Sequence, residues 1–276
     1  MQTFTTIPEI RAWRKENQRI AFVPTMGNLH AGHLQLVREA KKYADKVVVS
    51  IFVNPTQFGI NEDFADYPRT EIEDCVRLAA ENCDAVFLPN IETIYSSNAQ
   101  TLVSVSHVSQ NYCGASRVGH FDGVATVVCK LFNIVQPNVA LFGLKDFQQF
   151  LVIQTLTHDL HLPIELIGVP TVRELDGLAM SSRNGYLNET ERKIAPQLYQ
   201  ILQNSGEQLS QGKSISAIEK NAITALTQAG FVVDYFNIAR RDDLKIASDN
   251  DSNLIILVAA KLGKTRLIDN FVIENL

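Results

Sequence analysis

Apolar residues along the first two-thirds of the chain fall into two kinds of run. The blocks IAFVPT (20–25), VVVSIFV (47–53), AVFLP (85–89), VALFG (139–143) and IELIGVP (164–170) are short and barely alternate with polar residues. They read as strands, and VVVSIFV, with almost no alternation, as one covered on both faces. Between them, LQLVREAKKYA (34–44), IEDCVRLAAEN (72–82), GVATVVCKLFNIV (123–135) and DFQQFLVIQTLTHDL (146–160) carry helical spacing. The third of these is rich in β-branched residues, but its length exceeds a typical strand and favours a helix. Strand–helix–strand alternation of this kind predicts an α/β fold, a Rossmann-like parallel sheet wrapped by helices.

The pattern changes near residue 175. DGLAMSSRNGYL (176–187) is a flexible stretch, and two helices follow near 189–210 and 214–229. FVVDYFNIA (231–239), LIILVAAKLG (254–263) and TRLIDNFVI (265–273) then read as strands with no helix between them. Helices followed by neighbouring strands predict a smaller α+β domain. The expected division is 1–175 and 176–276. No internal repeat or low-complexity tract interrupts either part.

Composition narrows the function classes. The chain has 276 residues, 25 Lys plus Arg and 30 Asp plus Glu, a net charge of −5. That balance argues against nucleic acid as a partner, although a small anion held by a few local cations fits it. The seven-residue apolar runs at 47–53 and 254–260 are far short of the roughly 18 residues that span a bilayer. MQTFTTIPEIRAW lacks the basic start and apolar run of a signal peptide. Cys75, Cys83, Cys113 and Cys129 show no CxxC spacing and no neighbouring histidine cluster, so neither a zinc site nor a redox pair is expected. A cytoplasmic protein with reduced thiols is the reading that follows.

The chemistry concentrates at PTMGNLHAGH (24–33), where strand 20–25 runs into a helix. The first N–H groups of a helix have no internal partners and, with the helix dipole, attract phosphate. His30 and His33 lie on one side of that terminus and can add donors. Gly27 permits an unusual turn, and Gly32 permits close approach of a ligand to the backbone. The plainer reading makes His30 a helix cap and His33 a core histidine. The string is neither GxxxxGK[ST] nor GxGxxG.

Two further sets occupy similar positions. NPTQF (54–58) follows strand 47–53, and GLKDFQQ (143–149) follows strand 139–143. Ligands of parallel α/β sheets sit beyond the carboxyl ends of the strands, which places Gln57, Lys145 and Gln149 near a substrate. Asp146 can cap its helix or hold magnesium. Met180, Ser181, Ser182, Arg183 and Asn184 form a segment suited to closing over a triphosphate; a solvated linker is the plainer alternative.

HxGH at the start of the first helix of an α/β domain resembles the signature shared by nucleotidylyltransferases and class I aminoacyl-tRNA synthetases. PTMGNLHAGH, NPTQF, SRVGHFDGV (116–124), FGLKDFQQ (142–149) and GLAMSSRNGYL (177–187) together resemble the pantothenate synthetase family in order and spacing, over residues 22–188. AMSSR is similar to that family's counterpart of the mobile KMSKS loop.

The resemblance implies an ATP site formed by Met26, Gly27, Asn28, Leu29, His30, Ala31, Gly32 and His33, with Gly143, Leu144, Lys145, Asp146, Val172, Met180, Ser181, Ser182 and Arg183. It implies His33 as general acid, His30 as its phosphate-binding partner and Lys145 at the phosphates. Gln57 and Gln149 would bind pantoate, with Gln57 also beside β-alanine; Asn54 and Arg117 are weaker candidates. Leu144 stands where family members carry Glu or Met. Asp122 stands where several carry Arg, and no role is assigned to it.

The implied reaction joins (R)-pantoate to β-alanine through a pantoyl adenylate. ATP is the other substrate, AMP and pyrophosphate are released, and magnesium rides on the phosphates. No covalent protein nucleophile is required, and no protein metal ligands are assigned. A homodimer is implied by the family alone. Two other readings compete: a nucleotidylyltransferase that stops at AMP transfer, and a nucleotide-binding regulator without turnover. The two glutamines and the second domain favour the ligase. Retention of His30, His33, Lys145, Ser181, Ser182 and Arg183 argues against the regulator.

Overall fold

Each apolar block of the first two-thirds of the chain lies in one parallel sheet. The structure is a computed structural model and describes residues 1–59 and 62–273. Its first part runs β1 (Gln2–Phe4), α1 (Ile7–Glu16), β2 (Ile20–Thr25), α2 (Ala31–Ala40), β3 (Lys46–Ile51), α3 (Glu71–Ala80), β4 (Ala85–Phe87), α4 (Ile91–Ile94), α5 (Cys113–Ser116), α6 (His120–Val135), β5 (Val139–Gly143), α7 (Phe147–Asp159) and β6 (Glu165–Val169). The strand order is β1-β4-β3-β2-β5-β6, all parallel. This is the expected Rossmann-like α/β sheet. The block VVVSIFV lies mid-sheet as β3, between β4 and β2.

The absence of alternation has a direct cause. Phe22, Val48, Phe87 and Ala140 enter one core layer, with Trp13 of α1 and Phe132 of α6. Their chain neighbours Val23, Val49, Val86 and Leu141 enter the opposite layer, with Leu36 of α2 and Leu78 of α3. Successive side chains point to opposite faces, and both faces are apolar. Full burial of each large side chain is worth about 1.5–3 kcal/mol.

Chain order reverses between β2 and β5, which makes their junction the switch point where such sheets bind ligands. The β2–β5 ladder runs through Ala21↔Val139 and Phe22↔Ala140. Val23–Thr25 and Leu141–Gly143 continue beyond it toward the two loops that carry the chemistry.

The second part holds α8 (Glu189–Ile194), α9 (Gln197–Ser210), α10 (Ile215–Gln228), β7 (Val232–Arg240), β8 (Leu254–Leu262) and β9 (Thr265–Val272). The strands form an antiparallel sheet, β7-β8-β9. Leu202, Ile218 and Leu226 of α9 and α10 cover one face, against Phe236, Ile256 and Val258. Tyr112, Phe147 and Leu151 cover the other, against Ile255 and Leu257. The small sheet is thus sandwiched, which explains the unbroken apolar run of β8.

Three local expectations change. The helix expected over 34–44 spans Ala31–Ala40, because the His30 side chain caps it four residues earlier. The single helix expected over 189–210 is two, broken at Ala195–Pro196. Proline has no N–H to donate and its ring crowds the preceding turn. β1 and α1 were not foreseen; α1 starts at a capping box between Thr6 and Glu9.

Candidate active site

The histidine loop begins where β2 ends. Gly27 has φ +80° and Asn28 φ +49°, so the chain makes a left-handed turn that glycine adopts without strain. A Cβ at Gly27 would also lie 2.9 Å from Cγ2 of Ile51. The next residue, Leu29, is anchored in the core beneath β2.

Two side chains of α3 grip this turn. Asp74, fully buried, accepts the N–H groups of Asn28 and Leu29, each at 2.8 Å, and the Thr70 hydroxyl at 3.1 Å. Arg77 donates to the Leu29 carbonyl. Both were missed in the sequence. The only trace is a carboxylate in the middle of an amphipathic helix, on the side that faces the core.

His30 and His33 then form a reciprocal cap. Nδ1 of His30 accepts the Gly32 N–H at 3.1 Å, and Nδ1 of His33 accepts the His30 N–H at 3.3 Å. The rings are 4.0 Å apart and tilted by 35°. Burial, with the nearby Lys145 charge, pushes His30 down to about 4. Burial, His30 and Lys145 hold His33 well below its usual value. Both rings are therefore neutral at pH 7, and each has its proton on Nε2, since Nδ1 accepts. The plainer capping reading of His30 holds: capping engages Nδ1 and leaves the proton on Nε2. Gly32 has a different reason from the expected one. A Cβ there would lie 2.8 Å from the His30 ring, so glycine makes room for the imidazole.

The second loop follows β5. Leu144–Asp146 form a tight turn into α7. Lys145 and Asp146 line a cavity of about 670 Å³, together with Gln149, Ser181 and Arg183. Asp146 makes no side-chain cap to α7, so of its two expected roles the helix cap is not realised. The Leu144 side chain packs over Gly168 of β6, a structural duty that an apolar residue fills. The carbonyls of Leu144 and Lys145 each accept a 2.8 Å hydrogen bond from Asn270 of β9.

The closing segment sits on the histidine loop. Ser182 donates to the Asn28 carbonyl at 3.1 Å, the Met180 N–H meets the Val172 carbonyl at 3.0 Å, and Ser181 caps the turn through Arg183. The carbonyl of Val172 is thus already engaged. Arg183 is not a free cation: Nε and Nη2 grip Asp63 at 3.0 and 2.9 Å. Asp63 was not singled out in the sequence.

Gln57 lies on the short turn Pro55–Gln57, and Asn54 beneath it is a buried hub. Asn54 Nδ2 donates to Gln57 Oε1 (3.1 Å) and the Gly123 carbonyl (3.2 Å), while Oδ1 accepts from Tyr95 (2.8 Å) and Thr56 (3.0 Å). Asn54 therefore orients Gln57. Gln57 Nε2 points at Met26 Sδ, 3.0 Å away. Arg117 serves the same turn. It forks onto Glu62 at 2.6 and 2.5 Å and reaches the Gln57 carbonyl at 3.3 Å, which His120 also contacts. Burial alone would raise the Glu62 carboxyl, but the Arg117 hydrogen bonds and charge outweigh it and hold it near about 2. Asp122 accepts a hydrogen bond from Ser104 at 2.7 Å.

Some of the expected residues border cavities, in two groups. Lys145, Asp146, Gln149, Ser181 and Arg183 face the large cavity, whereas Met26 and Gly27 border a smaller one of about 240 Å³. The imidazoles and Gln57 stand outside both walls. Lys145 joins the groups, since its charge acts on both rings. Among the described residues no cluster of three or more His, Cys, Asp or Glu could hold a metal ion.

A helix N-terminus capped by two histidines and a lysine on the neighbouring loop of the switch point suit the phosphates of a nucleotide, and the fold around them is that of the nucleotidylyltransferases. The sequence model of the Pantoate-beta-alanine ligase family matches residues 2–272. The chain belongs to that family, and membership makes it a ligase that joins pantoate to β-alanine.

Curated relatives agree. Pantothenate synthetase of Acinetobacter baumannii is 55% identical over 276 residues, 98% of this chain and 97% of that one. The enzyme of Colwellia psychrerythraea is 51% identical over 282 residues, 98% of each chain. The crystal structure of pantothenate synthetase from Thermus thermophilus matches with a TM-score of 0.95 at 43% identity, covering 99% of each chain. A pantoate-beta-alanine ligase from Francisella tularensis, solved with beta-gamma ATP and beta-alanine, matches with a TM-score of 0.86 at 34% identity. It covers 100% of this chain and 99% of that one.

Proposed function

We propose that the chain condenses (R)-pantoate with β-alanine through a pantoyl-adenylate intermediate, consuming ATP and releasing AMP and pyrophosphate. The observation that carries this reading is the placement of the His30–His33 cap and of Lys145 on the loops that leave the two strands of the switch point. A carboxylate does not acylate an amine at neutral pH, because its leaving group would be an oxide. Attack of the pantoate carboxylate on the α-phosphorus expels pyrophosphate and replaces that leaving group with AMP. The β-alanine amine then attacks the acyl carbon and releases AMP.

The protein's contribution is placement and charge. Nε2–H of His30 and of His33, the N-terminus of α2 and the Lys145 ammonium oppose the charge that builds on the phosphates. His33 acts as a neutral donor; its environment disfavours the imidazolium that a strong general acid would require. Gln149, on the cavity wall, and Gln57, oriented by Asn54, hold the pantoate hydroxyls and carboxylate without an arginine clamp that would blunt the nucleophile. Met180–Arg183 close over the nucleotide, with Asp63 exchanging Arg183 to the phosphates.

Magnesium fits this site. Asp146, on the cavity wall beside Lys145, is the carboxylate that would help hold the ion, which would neutralise phosphate charge. Residues 1–175 bind the substrates and 176–276 act as the covering domain. Family membership supports a homodimer. Four free thiols support a cytoplasmic location; among the described residues no helix is long and apolar enough to cross a membrane.

The test incubates the protein with ATP, magnesium and D-pantoate, with and without β-alanine, and identifies the products by chromatography. The reading expects AMP and pantothenate in equal amounts only when both acids are present. ADP as product, or AMP turnover indifferent to β-alanine, overturns it.

A further inference from the structure

We propose that Asn270, on the small sheet, is a positioning residue for Lys145, so that the C-terminal part of the chain takes part in the adenylation step. The proposal rests on the role given to Lys145 above. Its geometry is local. Nδ2 of Asn270 has two N–H groups, and they donate to two consecutive carbonyls, Leu144 and Lys145, each at 2.8 Å. Those carbonyls belong to the peptide planes on either side of the Lys145 Cα. Pinning both planes fixes the backbone angles of Lys145, and with them the direction of its Cα–Cβ bond. β5 ends at Gly143, so this turn lies beyond the strand. Backbone groups there must find partners elsewhere.

The neighbouring residue holds the other side of the cleft. Side chains alternate along a strand, so Asp269 and Asn270 point to opposite faces of β9. Asp269, buried, accepts Arg173 at 2.6 and 2.9 Å, and its Oδ1 also accepts the Asn270 N–H at 2.8 Å. The Arg173 guanidinium stacks 3.5 Å from the centre of the Tyr199 ring. Arg173 begins the bridged segment 173–179 that leads into Met180–Arg183. One dipeptide of β9 therefore tethers both the lysine turn and the root of the closing segment, which makes their spacing a property of β9.

The test compares Asn270→Ala and the isosteric Asn270→Asp with the unaltered protein and with Lys145→Ala, alone and combined. Single-turnover pyrophosphate release from ATP and D-pantoate is the main readout. Circular dichroism and thermal melts report folding. Asn270→Ala is expected to slow release about tenfold, and Asn270→Asp, which sets an oxygen against two carbonyl oxygens, about 10²-fold, the scale of a small misplacement. The ATP dissociation constant should move less than about threefold, because a misaimed lysine weakens the transition state more than the ground state. In the Lys145→Ala background, Asn270→Ala should cost less than about twofold more.

A merely structural asparagine would lower the melting temperature but leave release per folded molecule unchanged, or add its full loss on top of Lys145→Ala. Either result overturns the proposal. Should the alanine variant fail to fold, Asn270→Ser, which keeps one donor, and the isosteric aspartate variant give the same comparison. If the unaltered protein releases no pyrophosphate, the functional reading fails instead, and the two failures are distinct.

Discussion

The histidine loop after β2 and the lysine loop after β5 leave adjacent strands of one sheet, but different parts of the chain hold them. The histidine loop is braced mainly from within the α/β layer: Asp74 and Arg77 of α3 secure its peptides and the two rings cap the backbone N–H groups of Gly32 and His30, while Ser182 adds one bond from the second part. The lysine loop is braced from the other sheet, through Asn270. One side of the cleft is therefore held mainly by α3, and the other by the small sheet.

The comparison can be broken most sharply at the chemistry itself. Lys145→Ala and His33→Ala should each slow adenylation by roughly 10²–10³, the scale for losing one charge-stabilising donor. Stopped-flow pyrophosphate release measures this, and a near-normal rate in both would remove the switch point as the reaction centre.

Asp74→Ala attacks the brace of the histidine loop. It strands two buried N–H groups, so a stability loss of about 2–4 kcal/mol is expected by urea unfolding. Adenylation should slow about 10²-fold in the folded fraction. Asp74→Asn should lose less of both, and full activity in the alanine variant would show that the loop holds itself.

Gln149→Ala should weaken pantoate about tenfold and ATP less than twofold, as one lost hydrogen-bonding amide implies. Calorimetric titration of each ligand separates the two, and equal losses would contradict the assignment.

The pH dependence of stability probes the rings themselves. His30 and His120 sit near about 4 in the folded chain, both depressed chiefly by burial. Unfolded histidine titrates at about 6.5 and takes up its proton first. The stability from these neutral rings is complete above pH 6.5 and is lost as pH falls toward 4. The limit is about 1.4 kcal/mol per pH unit for each ring. The Glu62 contribution lies lower, present above its unfolded value near 4.5 and lost as pH falls toward 2. Thermal melts from pH 8 to 4 should show the first window, and His120→Asn should shrink it. A flat profile would mean that the rings are not held neutral.

The fold was legible because short apolar runs mark the central strands of the first sheet, and because the β-branched α6 is too long for a strand. The histidine loop was legible for a similar reason: its chemistry is contiguous in sequence. Asp74, Arg77, Asp63 and Asn270 were not, because each acts on a loop far away in the chain. Asp74 meets residues 28 and 29, and Asn270 meets 144 and 145. Local pattern records which way a side chain faces, but not what it meets there. Arg183 shows the converse: its motif marked a cation, while only the fold shows that Asp63 already holds it.

Oxygen transfer tests the account most directly. D-Pantoate labelled with ¹⁸O in its carboxylate is turned over with ATP and β-alanine, and the released nucleotide is examined by mass spectrometry. Attack of the carboxylate on the α-phosphorus must leave one labelled oxygen in each AMP. Unlabelled AMP, or label appearing in inorganic phosphate beside ADP, would contradict it.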